Sequence, residues 1–211
     1  MRAIFLADAH LCKPSDPNYQ AILAFLEEQC GKTDTLVLLG DIFEFWIGEA
    51  SVVEAYVPVI DALERMHQQG TKLVYVEGNH DFHLGPYFEE TLACEVLPDG
   101  GGIDLDGLRI HIGHGDLVNP NDRGYRLLRK LLRGRPLQAI AGLLPPDWAW
   151  AIARWAGRQS RKGHSGRNAR WVPKELLTAH ARPLFAEGYA AVVTGHFHAP
   201  LLEERDGGII V

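Results

Sequence analysis

Residues 72–81 read Lys72-Leu73-Val74-Tyr75-Val76-Glu77-Gly78-Asn79-His80-Asp81, an apolar run that ends in polar side chains. Its apolar, β-branched first half is typical of a buried strand, and Gly78 lets the backbone turn sharply beyond the strand end. The three side chains that follow are an amide, an imidazole and a carboxylate, which can bind a metal or transfer a proton. The segment therefore predicts a strand that ends in a polar site.

The other predicted elements form two successive patterns. In the first half, strands alternate with helices at about 21–26 and 52–69, and this βαβαβ order predicts a parallel sheet with right-handed crossovers. From residue 93, short strands follow one another, and a helix at 174–187 comes before the last two strands. The last strand reaches the chain end, so we expect further residues beyond it. The predicted strands are 2–7, 35–39, 72–76, 93–97, 102–105, 108–112, 190–194 and 208–211.

Polar side chains directly follow five of these strands. Because the carboxyl ends of neighbouring strands in an α/β sheet converge on one crevice, we expect these side chains to meet. They could hold two divalent cations if Asp41 bridges the pair and water fills the remaining positions. Imidazole and carboxylate ligands without thiolate favour Mn²⁺, Fe²⁺ or Zn²⁺ over Ca²⁺. The predicted metal ligands are Asp8, His10, Asp41, Asn79, His114, His196 and His198.

Each of these motifs alone has a plainer explanation, since an Asp-x-His pair after a strand is more often a helix cap. Their joint occurrence in this order, however, resembles the calcineurin-like metallophosphoesterases over nearly the whole chain. The resemblance implies an α/β fold, a four-layer α-β-β-α sandwich formed by residues 1–211 as a single domain. It also implies a helical cap insertion at 120–170, and a hydroxide activated by two metals as the nucleophile.

The same resemblance divides the predicted ligands between two metal ions, with Asp41 shared by both. One set would be Asp8, His10, Asp41 and His198. The other would be Asp41, Asn79, His114 and His196. Both ions are expected to be divalent, and Mn²⁺ is the expected species.

Four segments carry a closer resemblance, namely Gly40-Asp41-Ile42-Phe43-Glu44-Phe45-Trp46-Ile47-Gly48, Asp81-Phe82, His114-Gly115-Asp116 and Asp122-x-x-Tyr125. They are similar to the UDP-2,3-diacylglucosamine pyrophosphohydrolases of lipid A biosynthesis. This resemblance implies hydrolysis of that lipid-linked nucleotide sugar to UMP and 2,3-diacylglucosamine 1-phosphate. The substrate-binding residues that it implies are Asn79, Asp122, Tyr125, Ser160 and Arg167.

One residue departs from that closer family, which typically carries arginine where this chain has His80. The wider superfamily has histidine there, paired with an acidic residue three positions after the bridging aspartate, which here is Glu44. We therefore predict Glu44 and His80 to be a catalytic dyad, with the imidazolium protonating or electrostatically stabilising the leaving group. The alternative is that His80 is a passive wall of the pocket. Asp81 is expected to be structural.

Charge is distributed unevenly along the chain. Residues 123–182 contain 14 Lys and Arg against two acidic residues, whereas the net charge of the whole chain is −6. This block predicts either an anionic partner or well-solvated helices. Its leucines at 127–132 share one helix face and its basic residues Arg126, Lys130 and Arg133 share another. The leucines would line an acyl groove or pack on the body, and the basic residues would meet anionic head groups of a membrane surface.

Other function classes are disfavoured by the sequence. The basic block lacks a recognisable nucleic-acid module, so no nucleic-acid partner is expected. Three scattered cysteines, a short apolar N-terminus and the lack of an apolar run of ~20 residues favour a cytoplasmic protein. We expect it to be at most peripheral on the cytoplasmic face of the inner membrane. The alternative functions are a soluble metallophosphoesterase acting on another nucleotide diphosphate derivative or phosphodiester, and a non-catalytic interaction scaffold.

Overall fold

The structure is a computed structural model that describes residues 1–47, 54–134 and 172–211. The helices are α1 (Pro17–Gln29), α2 (Val57–Gln68, after a 3₁₀ turn at Glu54–Tyr56), α3 (Gly85–Leu92), α4 (Arg123–Leu132) and α5 (Lys174–Ala186). The strands are β1 (Ala3–Leu6), β2 (Thr35–Leu38), β3 (Trp46–Ile47), β4 (Lys72–Val76), β5 (Asp81–Phe82), β6 (Glu95–Leu97), β7 (Gly101–Leu105), β8 (Leu108–Gly113), β9 (Ala191–Thr194), β10 (Glu203–Arg205) and β11 (Gly208–Ile210).

The first sheet has the strand order β1-β2-β4-β6, and all of its strands are parallel. A helix lies between each pair of successive strands of this sheet, as the predicted βαβαβ order requires. Every residue of β2 is buried, which is expected for a parallel strand covered on both faces. Helix α3 was not predicted from the sequence. It is only eight residues long, too short for a clear helical period.

The second sheet has the order β10-β11-β9-β8-β7 and is mixed. Strands β7 and β8 form an antiparallel hairpin, and β9 then pairs in parallel with both β8 and β11. The hairpin turn is Asp106-Gly107, where both residues have a positive φ, as a two-residue type I′ turn requires. Strands β3 and β5 form a separate two-stranded pair beside the first sheet.

Three apolar clusters separate the layers of the fold. Leu36 and Leu38 of β2 pack with α1, α2 and α3 on one face of the first sheet. Val37 and Leu39 point the opposite way and pack against the second sheet. A third cluster lies between the second sheet and α5. The order of layers is therefore helix, sheet, sheet, helix, which confirms the predicted α-β-β-α sandwich.

The predicted cap insertion at 120–170 contains α4, and its residues from 135 onward lie outside the described ranges, so the insertion stays a prediction. Ser160 and Arg167, two of the predicted substrate-binding residues, are among those that are not described. Every helix within the described residues is too short or too polar to cross a membrane.

Candidate metal centre

The seven predicted ligands all lie in loops that follow β1, β2, β4, β8 and β9. Five of them have a backbone in the left-handed region, which is uncommon for residues other than glycine. Such conformations cost about 1–3 kcal/mol each and persist mainly at functional sites, where the surrounding structure enforces them. The loop backbones are therefore shaped to direct these side chains. The five φ angles are 54° at Asp8, 46° at His10, 53° at Asp41, 74° at His196 and 50° at His198.

Three of the predicted ligands meet beside the ends of β1 and β9. His10 Nε2 lies 3.4 Å from His198 Nε2, and the two rings are stacked with centroids 5.2 Å apart. His198 Nε2 lies 3.8 Å from Asp8 Oδ1. That carboxylate oxygen is buried and has no hydrogen-bond partner among the described residues. A buried carboxylate oxygen without a hydrogen-bond donor fits a cation ligand.

A second set of ligands meets around the buried ring of His114. Its Nε2 lies 3.0 Å from Asn79 Oδ1 and 3.2 Å from His196 Nδ1. Its Nδ1 lies 2.8 Å from the carbonyl oxygen of Leu39. Because a carbonyl only accepts, Nδ1 carries a proton, and Nε2 is the ring nitrogen that faces the other ligands. The second set therefore has an imidazole whose Nε2 is oriented toward the other ligands and would bind a metal in exchange for its proton.

Asp41 lies between the two sets. Its Oδ2 is 3.4 Å from His114 Nε2 and 3.9 Å from His10 Nε2. Its Oδ1 accepts a hydrogen bond of 2.9 Å from the backbone N–H of His80. The side chain is almost fully buried, so its charge is poorly solvated. This is the placement expected of the bridging carboxylate that the sequence predicted.

The donor atoms fit a pair of divalent cations. Three overlapping groups each place three ligand atoms within 4.8 Å of one another. The donors are imidazole nitrogens and carboxylate oxygens, a combination that suits Mn²⁺, Fe²⁺ or Zn²⁺. The groups are Asp8, His10 and His198, then His10, Asp41 and His80, and then Asp41, His114 and His196.

Crowding of the charged groups shifts their pKa values in opposite directions. Burial opposes the charged form of His114, but its hydrogen bond to Asp41 and the charges of Asp41 and Asp116 outweigh burial and raise its pKa to about 9. Burial and the neighbouring His114 lower the pKa of His196 to about 4. Adjacent imidazoles are thus driven to opposite protonation states. Strongly perturbed, mutually coupled groups of this kind are characteristic of functional sites.

Asp81 stabilises the loops that carry the predicted ligands, which agrees with its expected structural role. Its carboxylate is fully buried and joins the backbone of the loop after β2 to the loop after β4. Burial and the charge of Asp41 raise its pKa to about 6. A Cβ on Gly78 would lie 2.2 Å from Asp41 Oδ1, so only glycine permits this approach. The donors to Asp81 are the N–H groups of Asp41, Ile42, Phe43 and Gly78 and the hydroxyl of Tyr75.

The predicted dyad is joined through the main chain. His80 Nδ1 lies 2.9 Å from the carbonyl oxygen of Glu44, and the His80 ring packs edge-on against His10, with centroids 4.8 Å apart. The carboxylate of Glu44 lies 3.4 Å from His10 Nδ1. Glu44 therefore orients His80 with its backbone and a predicted metal ligand with its side chain. The catalytic role of the two residues stays a prediction.

The two described substrate-binding candidates of the cap have contacts within the protein. Asp122 Oδ1 accepts a 2.9 Å hydrogen bond from the backbone N–H of Tyr125, which caps the N-terminus of α4. The Tyr125 hydroxyl donates to Asp116 Oδ2, which also accepts from Arg129 Nε at 3.0 Å. Asp116 is two positions after His114, so this hydrogen bond joins Tyr125 to the loop that carries a predicted ligand. Its contact with substrate stays a prediction, as does that of Asp122.

Helix α4 is oriented opposite to one expectation from the sequence. Arg133 is largely buried against the protein body, so its predicted contact with anionic head groups is wrong. Arg129 is likewise paired with the body. Arg126 and Lys130 of the same predicted face as Arg133 are exposed, and for them the contact stays a prediction. Sequence reasoning gave Arg133 another role and noted Asp116 only within a motif, and it assigned no role to Arg129 or Glu77. A carboxylate at the end of a buried strand such as β4 was a usable signal, because buried acids are almost always paired. The leucines face outward, with exposures of 60% for Leu127, 52% for Leu128, 62% for Leu131 and 36% for Leu132.

The chain matches known proteins along nearly its whole length. The calcineurin-like phosphoesterase family matches residues 1–200. The chain belongs to this family. Its fold and its class, a metal-dependent hydrolase of phosphoric esters and anhydrides, agree with the sequence predictions, and members of the family use divalent metals.

The chain is also similar to individual proteins. It is 30% identical to the UDP-2,3-diacylglucosamine hydrolase of Ralstonia nicotianae, over 97% of this chain and 80% of that protein. It is 31% identical to the protein of the same name from Aeromonas salmonicida, again over 97% and 80%. Among solved structures, zinc-bound Vps29 of Entamoeba histolytica matches 100% of this chain and 72% of that one, with 16% identity and a TM-score of 0.49. A likeness of that size carries no functional argument.

Proposed function

We propose that this protein hydrolyses UDP-2,3-diacylglucosamine to UMP and 2,3-diacylglucosamine 1-phosphate. One observation carries the proposal: the seven predicted ligands converge in a chain that matches hydrolases of this name along 97% of its length. Pyrophosphate cleavage needs charge stabilisation at phosphoryl oxygens, and two cations at such a centre supply it. Asn79 would serve both as a metal ligand and as a contact for the substrate phosphate.

We propose that two Mn²⁺ ions occupy the centre, one held by Asp8, His10, Asp41 and His198 and the other by Asp41, Asn79, His114 and His196. Bound there, the ions would polarise the phosphoryl oxygens and lower the pKa of the attacking water. The protein's own contribution is to fix the ligands in advance. The carbonyl of Leu39 holds the His114 tautomer, and the N–H of His80 holds the Asp41 carboxylate.

We propose that His80 acts on the leaving group as a cation. The Glu44 carbonyl can only accept a hydrogen bond, so Nδ1 of His80 carries a proton in either charge state. A proton on Nε2 is then present only when the ring is an imidazolium. In that state His80 can donate to the departing sugar phosphate and offset its negative charge. This replaces the arginine that the closer family typically carries at the position.

The outward leucines of α4 support a substrate with acyl chains. Leu127, Leu128 and Leu131 are each more than half exposed on consecutive turns, which makes one apolar surface. Acyl chains of the substrate, or the interior edge of a lipid leaflet, are apolar groups that such a surface can bury. We therefore propose that the protein works at the cytoplasmic face of the inner membrane, where a lipid-linked nucleotide sugar would be reached. Packing of these leucines against other protein atoms is the alternative.

A second candidate function follows from His80. A histidine at this position is typical of the wider family, so a soluble nucleotide diphosphate derivative or a phosphodiester is the alternative substrate. The two candidates are separated by kcat/KM with Mn²⁺ for UDP-2,3-diacylglucosamine and for a soluble UDP-sugar. We expect a preference of at least about 10²-fold for the acylated substrate, which corresponds to burial of only three or four methylenes at ~0.8 kcal/mol each.

A double variant makes this assay specific for the acyl chains. Leu127→Gln/Leu131→Gln should lower kcat/KM for the acylated substrate about tenfold and leave turnover of the soluble UDP-sugar unchanged, because only the former has chains to bury. Equal turnover of both substrates by the wild-type protein would exclude recognition of the acyl chains. A wild-type protein that binds Mn²⁺ and hydrolyses neither substrate nor a simple phosphodiester would favour the non-catalytic scaffold.

A further inference from the structure

A buried ion pair joins the end of α4 to the strand that leads into the metal centre. Arg133 Nη1 lies 3.0 Å from Glu77 Oε2, and the two side chains are only 13% and 5% exposed. Glu77 is the last residue before Gly78-Asn79-His80-Asp81. Its other carboxylate oxygen, Oε1, accepts a 2.9 Å hydrogen bond from the N–H of Leu84. Glu77 therefore closes the whole loop 77–84 and presents it to α4.

Arg133 also contacts the backbone of this loop directly. Its Nη2 donates to the carbonyl oxygen of Gly78 at 2.7 Å, and its Nη1 donates to the carbonyl of Pro98. Its guanidinium lies 5.6 Å from the ring centroid of Phe82, in the range of a cation–π contact. One arginine thus holds the loop both before and after Asn79 and His80, the two residues beside the candidate metal centre.

The contact with Gly78 matters because a glycine backbone is unusually flexible. Glycine has no side chain to limit its backbone, so the peptide unit between Gly78 and Asn79 is free to rotate unless neighbours restrain it. The N–H of Gly78 is held by Asp81 at 3.0 Å, and its carbonyl oxygen is held by Arg133. The orientation of this peptide sets where Asn79 Oδ1 points. The next peptide unit, between Asn79 and His80, is held in turn by the hydrogen bond from the His80 N–H to Asp41.

From these contacts we propose that Arg133 is a positioning residue of the metal centre, acting through Glu77 and the Gly78 carbonyl on Asn79 and His80. The inference rests on the proposed metal centre, but it does not depend on which phosphate ester is the substrate. Helix α4 is then not only a support for substrate contacts. Through one buried arginine it fixes the geometry of a metal ligand on the opposite side of the loop, as outer partners of metal ligands commonly do.

The experiment compares variants in Mn²⁺ binding and in Mn²⁺-dependent hydrolysis of bis(p-nitrophenyl) phosphate. Arg133→Met should weaken Mn²⁺ binding at the Asn79 site and lower kcat, each about tenfold, with KM for this small substrate changed less than about twofold. Arg133→Lys keeps a cation for Glu77 but lacks the forked donors, so it should restore part of the loss. Arg182→Met is the matched control, since Arg182 makes an exposed ion pair with Asp206.

Because Arg133→Met leaves Glu77 buried and unpaired, a second variant guards against simple unfolding. Glu77→Met/Arg133→Met removes both charges and should fold with a Tm near that of the wild type, since buried pairs replaced by apolar residues are often neutral. It should show the same loss of Mn²⁺ affinity and kcat, because the Gly78 carbonyl has still lost its donor.

The outcomes separate this inference from the proposed function. Variants with a lowered Tm but wild-type Mn²⁺ affinity and kcat would show that Arg133 is only structural, and the inference would be overturned. A wild-type protein that cleaves bis(p-nitrophenyl) phosphate but not UDP-2,3-diacylglucosamine would overturn the proposed substrate, while the expected losses in the variants would still support the role of Arg133. A wild-type protein that binds no Mn²⁺ would overturn both.

Discussion

The metal centre and helix α4 differ in how well their side-chain positions follow from the sequence. In the metal centre, the seven side chains converge as their positions after the strands suggested. In α4, the leucines and basic residues do occupy different faces, but the arginines contact the body and the leucines face outward. Strand ends are brought together by the sheet itself. The direction in which a helix faces depends on partners that are distant in the sequence.

The reversal in α4 has an electrostatic cause. The body offers two nearly buried carboxylates beneath this helix, Asp116 and Glu77, whose side chains are 3% and 5% exposed. A buried carboxylate without a partner is costly, whereas a leucine left partly in water loses only its own transfer free energy of about 2 kcal/mol. Pairing the two acids therefore decides which face turns inward. A helical period alone identifies a face but not its direction.

The largest effect is expected for Asp41→Asn in the metal centre. The amide removes the charge that both cation positions would share, so kcat/KM with Mn²⁺ should fall by at least about 10³-fold, equal to several kcal/mol of charge stabilisation. The amide oxygen can still accept from the N–H of His80, so the metal-free fold should persist. Asp61→Asn, on the exposed side of α2, is the control. Activity within tenfold of the wild type would refute a bridging role for Asp41.

In α4, the comparison is sharpened by exchanging one residue on each face. Arg129→Met leaves Asp116 buried without its guanidinium and should lower the free energy of unfolding by about 3 kcal/mol. Leu131→Gln changes a side chain that is 62% exposed and should alter it by no more than about 0.5 kcal/mol. Urea denaturation measures both. A larger loss for the leucine would mean that the leucine face, not the arginine face, anchors the helix.

The sequence was sufficient for the fold class and for which residues meet at the centre, because both follow from strand order and strand ends. It was insufficient wherever a contact depended on the third dimension. The Asp81 carboxylate takes five hydrogen bonds from residues up to 40 positions away, and the motif gave no sign of them. Glu44 was assigned correctly to the neighbourhood of His80, but a spacing rule cannot distinguish its backbone from its side chain.

The next largest effect distinguishes the role of the Glu44 backbone carbonyl, which contacts His80, from that of its carboxylate, which contacts His10. His80→Ala removes the proposed leaving-group cation and should lower kcat on UDP-2,3-diacylglucosamine about 10²-fold. Glu44→Gln keeps the carbonyl that holds His80 and should mainly weaken Mn²⁺ binding through His10, about tenfold, with kcat at saturating Mn²⁺ near the wild-type value. A kcat loss in Glu44→Gln equal to that of His80→Ala would instead assign the carboxylate to the dyad.

The smallest effect tests whether clustered histidines are sufficient to indicate a metal site. His111 of β8 and His180 of α5 lie with ring centroids 6.0 Å apart, outside both regions compared above. Burial and the nearby His180 lower the pKa of His111, and the charge of Glu187 offsets this only in part. Burial and the charge of Arg126 in α4 lower the pKa of His180. No carboxylate ligand joins the pair in the groups found among the described residues.

These lowered pKa values should make the fold acid-sensitive. Below about pH 6.5 the unfolded chain binds protons that the folded histidines resist, so stability present above that pH is lost as the pH falls. His180→Gln should reduce the difference in unfolding free energy between pH 7.5 and 5.5 and leave Mn²⁺ binding unchanged, with His67→Gln on α2 as the control. Urea denaturation of metal-free protein at the two pH values measures this, and an unaltered difference would place the acid sensitivity elsewhere. Because the positive charge of Arg126 lowers the pKa of His180, removal of Arg126 should make His180 easier to protonate. Since Arg126 belongs to α4, this result would extend the electrostatic influence of α4 from the loops of the metal centre to the far side of the second sheet.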